Sequence, residues 1–398
     1  MTVRSYTRPQ VAGEQTVWTR ITAKNSLARR LDWPLLGAAV TLSLLGTLLV
    51  YSATRSRTDL NNGDPQYFLL RHFLNVSIGL GLAAGMVWLG HIRLRTAVPV
   101  LYGLSVVLSI AVLTPLGSSV NGSRSWIQVG GGFAFQPSEL VKVGVVLGMA
   151  TLLAAPLENE HRSRPDSRAV LQALGLATVP AVLVLLCPDV GQTMVIAAIA
   201  VGALLASGTG RGWILGLLGL GLAGALAVWQ LGLLDEYQIN RFAAFANPAL
   251  DPAGVGYNTN QARIAIGSGG LTGQGLFHGS QTLGQFVPEQ HTDFIFTVVG
   301  EELGFAGAGL VIVLLGVVLL RGCRIAVHAP DRYGTIVAVG IVTWIAFQSF
   351  QNMGMALGIM PVTGLPLPFL SYGGSSMFAI WIAVGLLQAI RVRSRTRL

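Results

Sequence analysis

The chain has 398 residues, of which 52% are hydrophobic and only 11% are charged, and its mean hydropathy is +0.62. Soluble domains carry about 25% charged residues, so this composition excludes a soluble globular protein and indicates a polytopic membrane protein. The net charge of +9 could suggest a nucleic-acid ligand. However, the basic residues cluster in short segments between apolar runs, and no basic and aromatic surface is visible, so we expect no nucleic-acid partner.

The first 32 residues are polar and basic, and no apolar stretch precedes Trp33. We interpret residues 1–32 as a cytoplasmic tail rather than a cleaved signal. A membrane domain is expected over residues 33–390, followed by a short cytoplasmic tail over residues 391–398.

Ten apolar runs of spanning length follow, which predicts an all-α membrane protein. The alternating patterns of a membrane barrel are absent. The predicted spans are 33–53, 72–90, 97–115, 137–155, 169–187, 190–207, 212–231, 294–320, 333–357 and 373–390.

Charge predicts the orientation of these spans. With the N-terminus inside, the inner segments hold 19 Lys and Arg residues and the outer segments hold six. Basic residues favour the cytoplasmic side, so both termini are expected there. The longest outer loop, 232–293 between spans seven and eight, is expected to contain short helices lying on the membrane surface. Cys187 and Cys323 then fall on opposite faces, and no disulfide is expected.

This loop ends with three titratable residues, Glu289, His291 and Asp293, directly before the eighth span. A carboxylate at the mouth of a membrane helix costs free energy unless water, a partner or a ligand satisfies it. Asp293 is therefore a candidate functional residue. The alternative is that these are ordinary interfacial charges, which is the simpler interpretation for His291 taken alone.

Charged residues also fall within or beside other spans. Glu139 and Lys142 are three residues apart, so they share one face of the fourth span. They form either a neutralised pair or a polar surface that faces the substrate. Asp189 either closes a tight outer turn or belongs to the site. Of Glu301 and Glu302, at least one is expected to face a polar interior or to cap a neighbouring element.

No metal-binding spacing such as HExxH or CxxC occurs, and no phosphate-binding GxxxxGK[ST] motif occurs. Six ordered blocks resemble the SEDS family of cell-wall proteins, named for shape, elongation, division and sporulation. These blocks are SWI at 125–127, QPSELVK at 136–142, PDVG at 188–191, AIGSGG at 265–270, HTDFIF at 291–296 and LPLPFLSYGGSS at 365–376. The PVTG segment at 361–364 resembles the elongation branch, RodA, whereas the division branch, FtsW, usually has a lysine where Thr363 stands.

The resemblance implies a peptidoglycan glycosyltransferase that polymerises lipid II on the outer face of the bacterial cytoplasmic membrane during cell elongation. It implies a class B penicillin-binding protein as partner, and Mg²⁺ or Mn²⁺ as a supporting cation. Asp293 matches the family's essential aspartate, while Glu139 and Lys142 match polar residues of its central cavity. A carboxylate at Asp293 could accept the proton of the attacking sugar hydroxyl.

Cations can stabilise the pyrophosphate leaving group, and Lys142, Arg71 and Arg241 are available for this on or near the outer side. The full set of predicted substrate-binding residues is Glu139, Lys142, Arg71, Arg241, Trp126, Ser280, Gln281, Glu289, His291 and Ser371.

Two other classes of function remain open. A lipid II flippase or related transporter could use the same intramembrane pair to conduct a polar head group. The absence of a convincing internal repeat and the elaborate outer loops weigh against it. A non-catalytic scaffold for cell-wall enzymes is the third possibility.

Overall fold

The computed structural model describes residues 27–61, 63–120, 123–130, 133–159, 162–230, 232 and 255–394. Within them lie fourteen helices and three short strands, numbered here in chain order. The helices are α1 (Leu27–Arg30), α2 (Trp33–Thr54), α3 (Thr58–Asn61), α4 (Tyr67–Leu89), α5 (His91–Leu113), α6 (Pro137–Asn159), α7 (Ser167–Leu185), α8 (Val190–Ala206), α9 (Arg211–Gln230), α10 (Val255–Ser268), α11 (Ser280–Leu283), α12 (Ile295–Val327), α13 (Arg332–Leu357) and α14 (Gly374–Ser394). The strands are β1 (Gly117–Val120), β2 (Ser123–Gly130) and β3 (Phe133–Phe135).

The predicted all-α membrane architecture is confirmed. Among the described residues, eight helices are long and apolar enough to cross a membrane, and α8 and the apolar stretch Arg211–Gly224 of α9 lie at the two remaining predicted positions. Some boundaries were wrong. The helix α4 begins at Tyr67, so Arg71 lies inside a helix rather than in the outer loop. The predicted inner segment 91–96 is the helical start of α5.

Several helices begin where a carboxylate can accept hydrogen bonds from the first free backbone N–H groups. Asp32 accepts from Leu35, Asp166 from Ala169, and Asp331 from Gly334. Asp189 accepts from Gln192 N at the start of α8. This contact supports the turn interpretation of Asp189, because the carboxylate satisfies an exposed helix end.

The stretch between the third and fourth predicted spans contains a small antiparallel sheet in the order β1-β2-β3, which the sequence analysis did not predict. Ser118 pairs with Trp126, and Ile127 pairs with Phe135. The guanidinium of Arg124 donates to the carbonyls of Thr114 and Gly117, which ties the sheet to the end of α5. β1 and β3 are too short for an alternation to be seen, and the eight residues of β2 do not alternate regularly between apolar and polar.

Small residues let the spanning helices approach closely, as is usual in membranes. The last helix, α14, packs along α4. A Cβ at Gly385 would lie 2.7 Å from the backbone of Ala83, and one at Gly79 would lie 2.6 Å from the ring of Trp381. The contact therefore requires glycine on both helices.

The longest helix, α12, is broken at Gly304, whose φ is 65°. The preceding loop replaces the hydrogen bonds lost at the break. Gln274 N and Gly275 N donate to the carbonyls of Glu301 and Glu302, and the N–H groups of residues 305 and 306 donate to the carbonyls of residues 270 and 271. The segment 269–275 is thus joined to α12 through backbone groups that would otherwise have no partner.

Ion pairs join the starts of some helices to the ends of others at one face of the protein. Asp32, before α2, binds Arg321 near the end of α12 at 2.6 Å, and its backbone exchanges two hydrogen bonds with Gln388 of α14. Arg95 at the start of α5 binds Glu158 at the end of α6 at 2.6 Å. These contacts agree with the predicted alternation of spans and bring the start of α2 and the end of α14 to the same face.

We expect this face to be cytoplasmic, because the basic residues are concentrated there. In a protein with Cys187 and Cys323 replaced, an impermeant thiol reagent added to whole cells should not label Arg164→Cys. It should label Gln66→Cys, an exposed position before α4 at the opposite face. If the reagent labels Arg164→Cys from outside and does not label Gln66→Cys, the protein has the opposite orientation in the membrane.

Candidate functional site

The fourth predicted span places an ion pair inside the protein. Lys142 Nζ lies 2.8 Å from Glu139 Oε2, and both side chains are almost wholly buried. The i, i+3 spacing brings them to one face of α6, as predicted. Since a buried charge without a partner is strongly unfavourable, each residue makes the other tolerable.

Polar side chains from two other helices complete this pair. Gln192 of α8 donates to Glu139 Oε1 at 2.8 Å. Gln348 of α13 accepts from Lys142 Nζ at 3.0 Å and from the indole N–H of Trp344 at 2.7 Å. The Lys142 ammonium also lies 4.8 Å from the Trp344 ring centroid, within range of a cation–π interaction. The charges are therefore held in a fixed network from three helices.

An irregular stretch, the 361–371 segment, lies beside this network. Its carbonyl groups bind carboxamides of α13: Gln348 donates to Pro366 O, Gln351 to Pro361 O, and Asn352 to Leu365 O, at 2.7–2.9 Å. The segment thus keeps a non-helical path because side chains replace the missing backbone donors.

Asp293 also lies against the 361–371 segment. Its carboxylate Oδ2 is 3.4 Å from the position that a Cβ would take at Gly364, where φ is +69°. The Asn352 amide that binds Leu365 also donates to the carbonyl of Asp293 at 2.7 Å. The Asn352 side chain therefore holds Asp293 next to the segment. The ion pair of Glu139 and Lys142 is joined to the same segment through Gln348.

Three further predicted residues lie around this junction. Ser371 donates to Thr292 O, and its hydroxyl accepts from Leu367 N. The ring of His291 packs against Phe68 and Tyr372, which favours a packing role for His291. Arg71 stacks over Tyr67 at 4.3 Å and hydrogen-bonds Tyr372.

The phenol of Tyr372 remains protonated at neutral pH. Burial raises its pKa above the ordinary value, although the neighbouring Arg71 acts in the opposite direction. Tyr372 is therefore available as a hydrogen-bond donor next to the residues that flank Asp293.

Ser280 and Gln281, which were predicted to bind substrate, contact the carboxylate of Glu301. Glu301 accepts from the backbone N–H groups of Gln281 and Thr282 and from the hydroxyl groups of Ser280 and Thr282. It therefore caps α11, which confirms the prediction that Glu301 or Glu302 caps a neighbouring element. Substrate binding by Ser280 and Gln281 stays a prediction.

Three predicted residues remain. Glu289 has a positive φ of 50°, and its carboxylate accepts from the Thr292 hydroxyl at 3.0 Å, so it shapes the turn before Asp293. Trp126 lies in β2 and is half-buried. Arg241 lies outside the described residues.

The amide side chains were missed as site residues. Gln192, Gln348 and Asn352 each bind a candidate site residue, and all three are buried within predicted spans. The sequence did offer a signal for these residues, because polar residues inside a span usually have a functional or packing reason. Gln348 and Asn352 also share one helical face by their spacing of four.

Next to the ion pair is a narrow cavity lined by residues of α6, α13, α14 and the 361–371 segment, among them Glu139, Trp344, Gln348, Ser371 and Ser376. No group of three or more His, Cys, Asp or Glu side chains among the described residues is placed to hold a metal ion. The residues therefore do not define a closed site for the implied divalent cation.

Removing one member of the ion pair should destabilise the protein strongly. Lys142→Met or Glu139→Gln leaves a buried group without its partner, and we expect a loss of roughly 3–5 kcal/mol if the site stays dry. The double variant should lose less than the sum of the single variants. Thermal unfolding of the detergent-solubilised protein measures this.

Arg162→Gln is the matched control, because Arg162 and Asp166 form a more exposed pair at 3.7 Å and such pairs contribute roughly 0–1 kcal/mol. If Lys142→Met unfolds at the wild-type temperature, the pair is not the buried network described above.

Comparisons with known proteins match this chain over most of its length. The family model FtsW/RodA/SpoVE, described as "Cell cycle protein", matches residues 33–396. "Stage V sporulation protein E" of Bacillus subtilis is 39% identical over 91% of this chain and 97% of its own. A "Probable peptidoglycan glycosyltransferase FtsW" of Trichlorobacter lovleyi is 37% identical over 89% of this chain and 92% of its own.

Solved structures agree. One chain, described under "Structural coordination of polymerization and crosslinking by a peptidoglycan synthase complex", has a TM-score of 0.75 and 30% identity, and covers 92% of this chain and 98% of that chain. The rod shape determining protein RodA of Thermus thermophilus has a TM-score of 0.65 and 30% identity, and covers 91% of this chain and 96% of that chain. The chain belongs to the FtsW/RodA/SpoVE family, the SEDS proteins.

Proposed function

We propose that this chain is a peptidoglycan glycosyltransferase that polymerises lipid II at the outer face of the bacterial cytoplasmic membrane. Family membership and the names of the relatives support the activity. The observation that carries the proposal is that Asp293 and the Glu139–Lys142 pair border the same irregular segment, 361–371. A carboxylate that could accept a proton and a fixed polar network therefore lie against the same stretch of backbone.

In the proposed reaction, the 4-hydroxyl of the acceptor sugar attacks the anomeric carbon of the donor. A new C–O bond forms there, and the bond from that carbon to the pyrophosphate oxygen breaks. Asp293 accepts the hydroxyl proton, and the lipid pyrophosphate leaves with the electron pair. A single carboxylate acting on the acceptor suffices for such an inverting transfer, because the leaving group is already a good one.

The ion pair has a supporting role in this proposal. Lys142 is neutralised by Glu139 at 2.8 Å, so the pair adds little net positive charge. Its contribution is to hold Gln348, and through Gln348 the carbonyl of Pro366, in place. Arg71 is the better candidate to contact the pyrophosphate, because it lies at the outer end of α4 beside Tyr372.

The partner in this proposal is a class B penicillin-binding protein, which would cross-link the strands. The solved neighbour from a peptidoglycan synthase complex supports this. A divalent cation is proposed only as a supporting ion from the family resemblance, and no step above requires it.

Asp293→Asn should abolish polymerisation while leaving the fold intact, because the amide keeps the shape but cannot accept the proton. A general base contributes roughly 10²–10⁴ in rate. Asp293→Glu should also be weak, because a displacement of about 1 Å can cost roughly a hundredfold. Glycan strands made from lipid II by the purified protein with its partner are measured on gels.

Asp64→Asn is the matched control, since Asp64 is exposed at the same face and only caps the turn before α4. It should polymerise normally, whereas Glu289→Gln and His291→Gln should show smaller losses than Asp293→Asn. If a folded Asp293→Asn protein makes nearly as much glycan polymer as the wild type, Asp293 is not the general base. Leaflet transfer of lipid II without polymer would instead favour a flippase.

We further propose that the chain acts in elongation rather than in division. This proposal rests on Thr363. The names of the two relatives above point instead to sporulation and division. In a rod-shaped bacterium depleted of its own elongation polymerase, the chain should restore rod shape. In one depleted of its division polymerase, it should not restore septation. The reverse pattern would assign it to division.

A further inference from the structure

A second candidate site lies at the opposite face from Asp293, where α14 ends. A groove of about 500 Å³ runs between the corner that joins α4 to α5 and the last turn of α14. The corner is a single residue, Gly90, with a φ of 73°. Val392 and Arg393, at the end of α14, lie beside this corner. None of the groove residues belongs to the site described above.

The floor of the groove is apolar and is formed by Val87, Leu89, Ile92, Ala389 and Val392. Trp88 follows on α4 and is 77% exposed. An exposed tryptophan at the end of a spanning helix is typical of the boundary between lipid chains and head groups. The groove therefore lies at a depth where a lipid can reach it.

Two arginines, Arg93 and Arg393, also line the groove. Within the described part of the chain, neither forms an ion pair, whereas the neighbouring Arg95 and Arg321 bind Glu158 and Asp32. Their positive charge thus remains available to a ligand.

One carboxylate, Asp331, lies within electrostatic range of Arg393. Burial would raise the pKa of Asp331, but hydrogen bonds from His91 and Gly334 N hold it below the ordinary value, and Arg393 adds to this. Asp331 therefore stays ionised, but its hydrogen bonds are directed to His91 and Gly334. His91 itself lines the groove, and its Nδ1 has no hydrogen-bond partner among the described residues.

We propose that this groove binds an anionic phospholipid, with the phosphate between Arg93 and Arg393 and an acyl chain along the apolar floor. Basic pockets between membrane helices are known to bind anionic head groups in this way. The apolar floor favours a lipid over free phosphate. The two arginines without carboxylate partners favour a lipid over an apolar partner helix, which would leave both charges unused.

Native mass spectrometry of the detergent-solubilised protein, titrated with phosphatidylglycerol or phosphatidylcholine, tests the proposal. The wild type should retain phosphatidylglycerol in preference to phosphatidylcholine. The double variant Arg93→Gln/Arg393→Gln should bind phosphatidylglycerol roughly 25-fold more weakly, since each charge near a lipid surface contributes about fivefold. Inorganic phosphate at millimolar concentration should not displace the lipid.

Arg164→Gln/Arg168→Gln is the matched control, because it removes the same charge from exposed positions on the same face, away from the groove. It should bind like the wild type. The proposal is overturned if both double variants bind alike, if the wild type shows no preference for phosphatidylglycerol, or if inorganic phosphate competes. The experiment measures lipid binding and not the formation of glycan strands. Failure of the proposed glycosyltransferase activity would therefore leave its result unaffected.

Discussion

Backbone groups inside a membrane must find hydrogen-bond partners within the protein, because lipid offers none. The 361–371 segment is irregular, so its carbonyl groups cannot be satisfied by a helix. Gln348, Gln351 and Asn352 of α13 supply the missing donors. Since Asn352 also holds the carbonyl of Asp293, the same solution that makes the segment tolerable places the candidate base.

The break in α12 obeys the same constraint by another route. There the donors and acceptors are backbone groups of the 269–275 segment rather than side chains. Glu301, three residues before the break, uses its carboxylate to cap α11. Loop and helix thus form one unit at the end of α12 that begins beside Asp293, where little freedom remains for the backbone of Asp293.

The spans and the ion pair could be predicted because each depends on short-range patterns. Apolar runs of about twenty residues report the membrane thickness, and a spacing of three places Glu139 beside Lys142. The carboxamide contacts could not be predicted, because they join Gln192 and Gln348 to residues distant in sequence. The small sheet was also missed, because β1 and β3 have only four and three residues and β2 shows no regular apolar alternation. Arg71 was misplaced because its charge was taken as the boundary of the apolar run, although the helix already begins with the apolar residues 67–70.

The pairing of Asp32 with Gln388 joins two residues that are 356 positions apart. During synthesis, the carboxylate of Asp32 is made before any of its partners, and Arg321 and then Gln388 arrive only with the last helices. A buried carboxylate is costly until then. The start of the membrane domain therefore cannot settle into its final position until the chain is nearly complete, and α14 acts as the closing element of assembly.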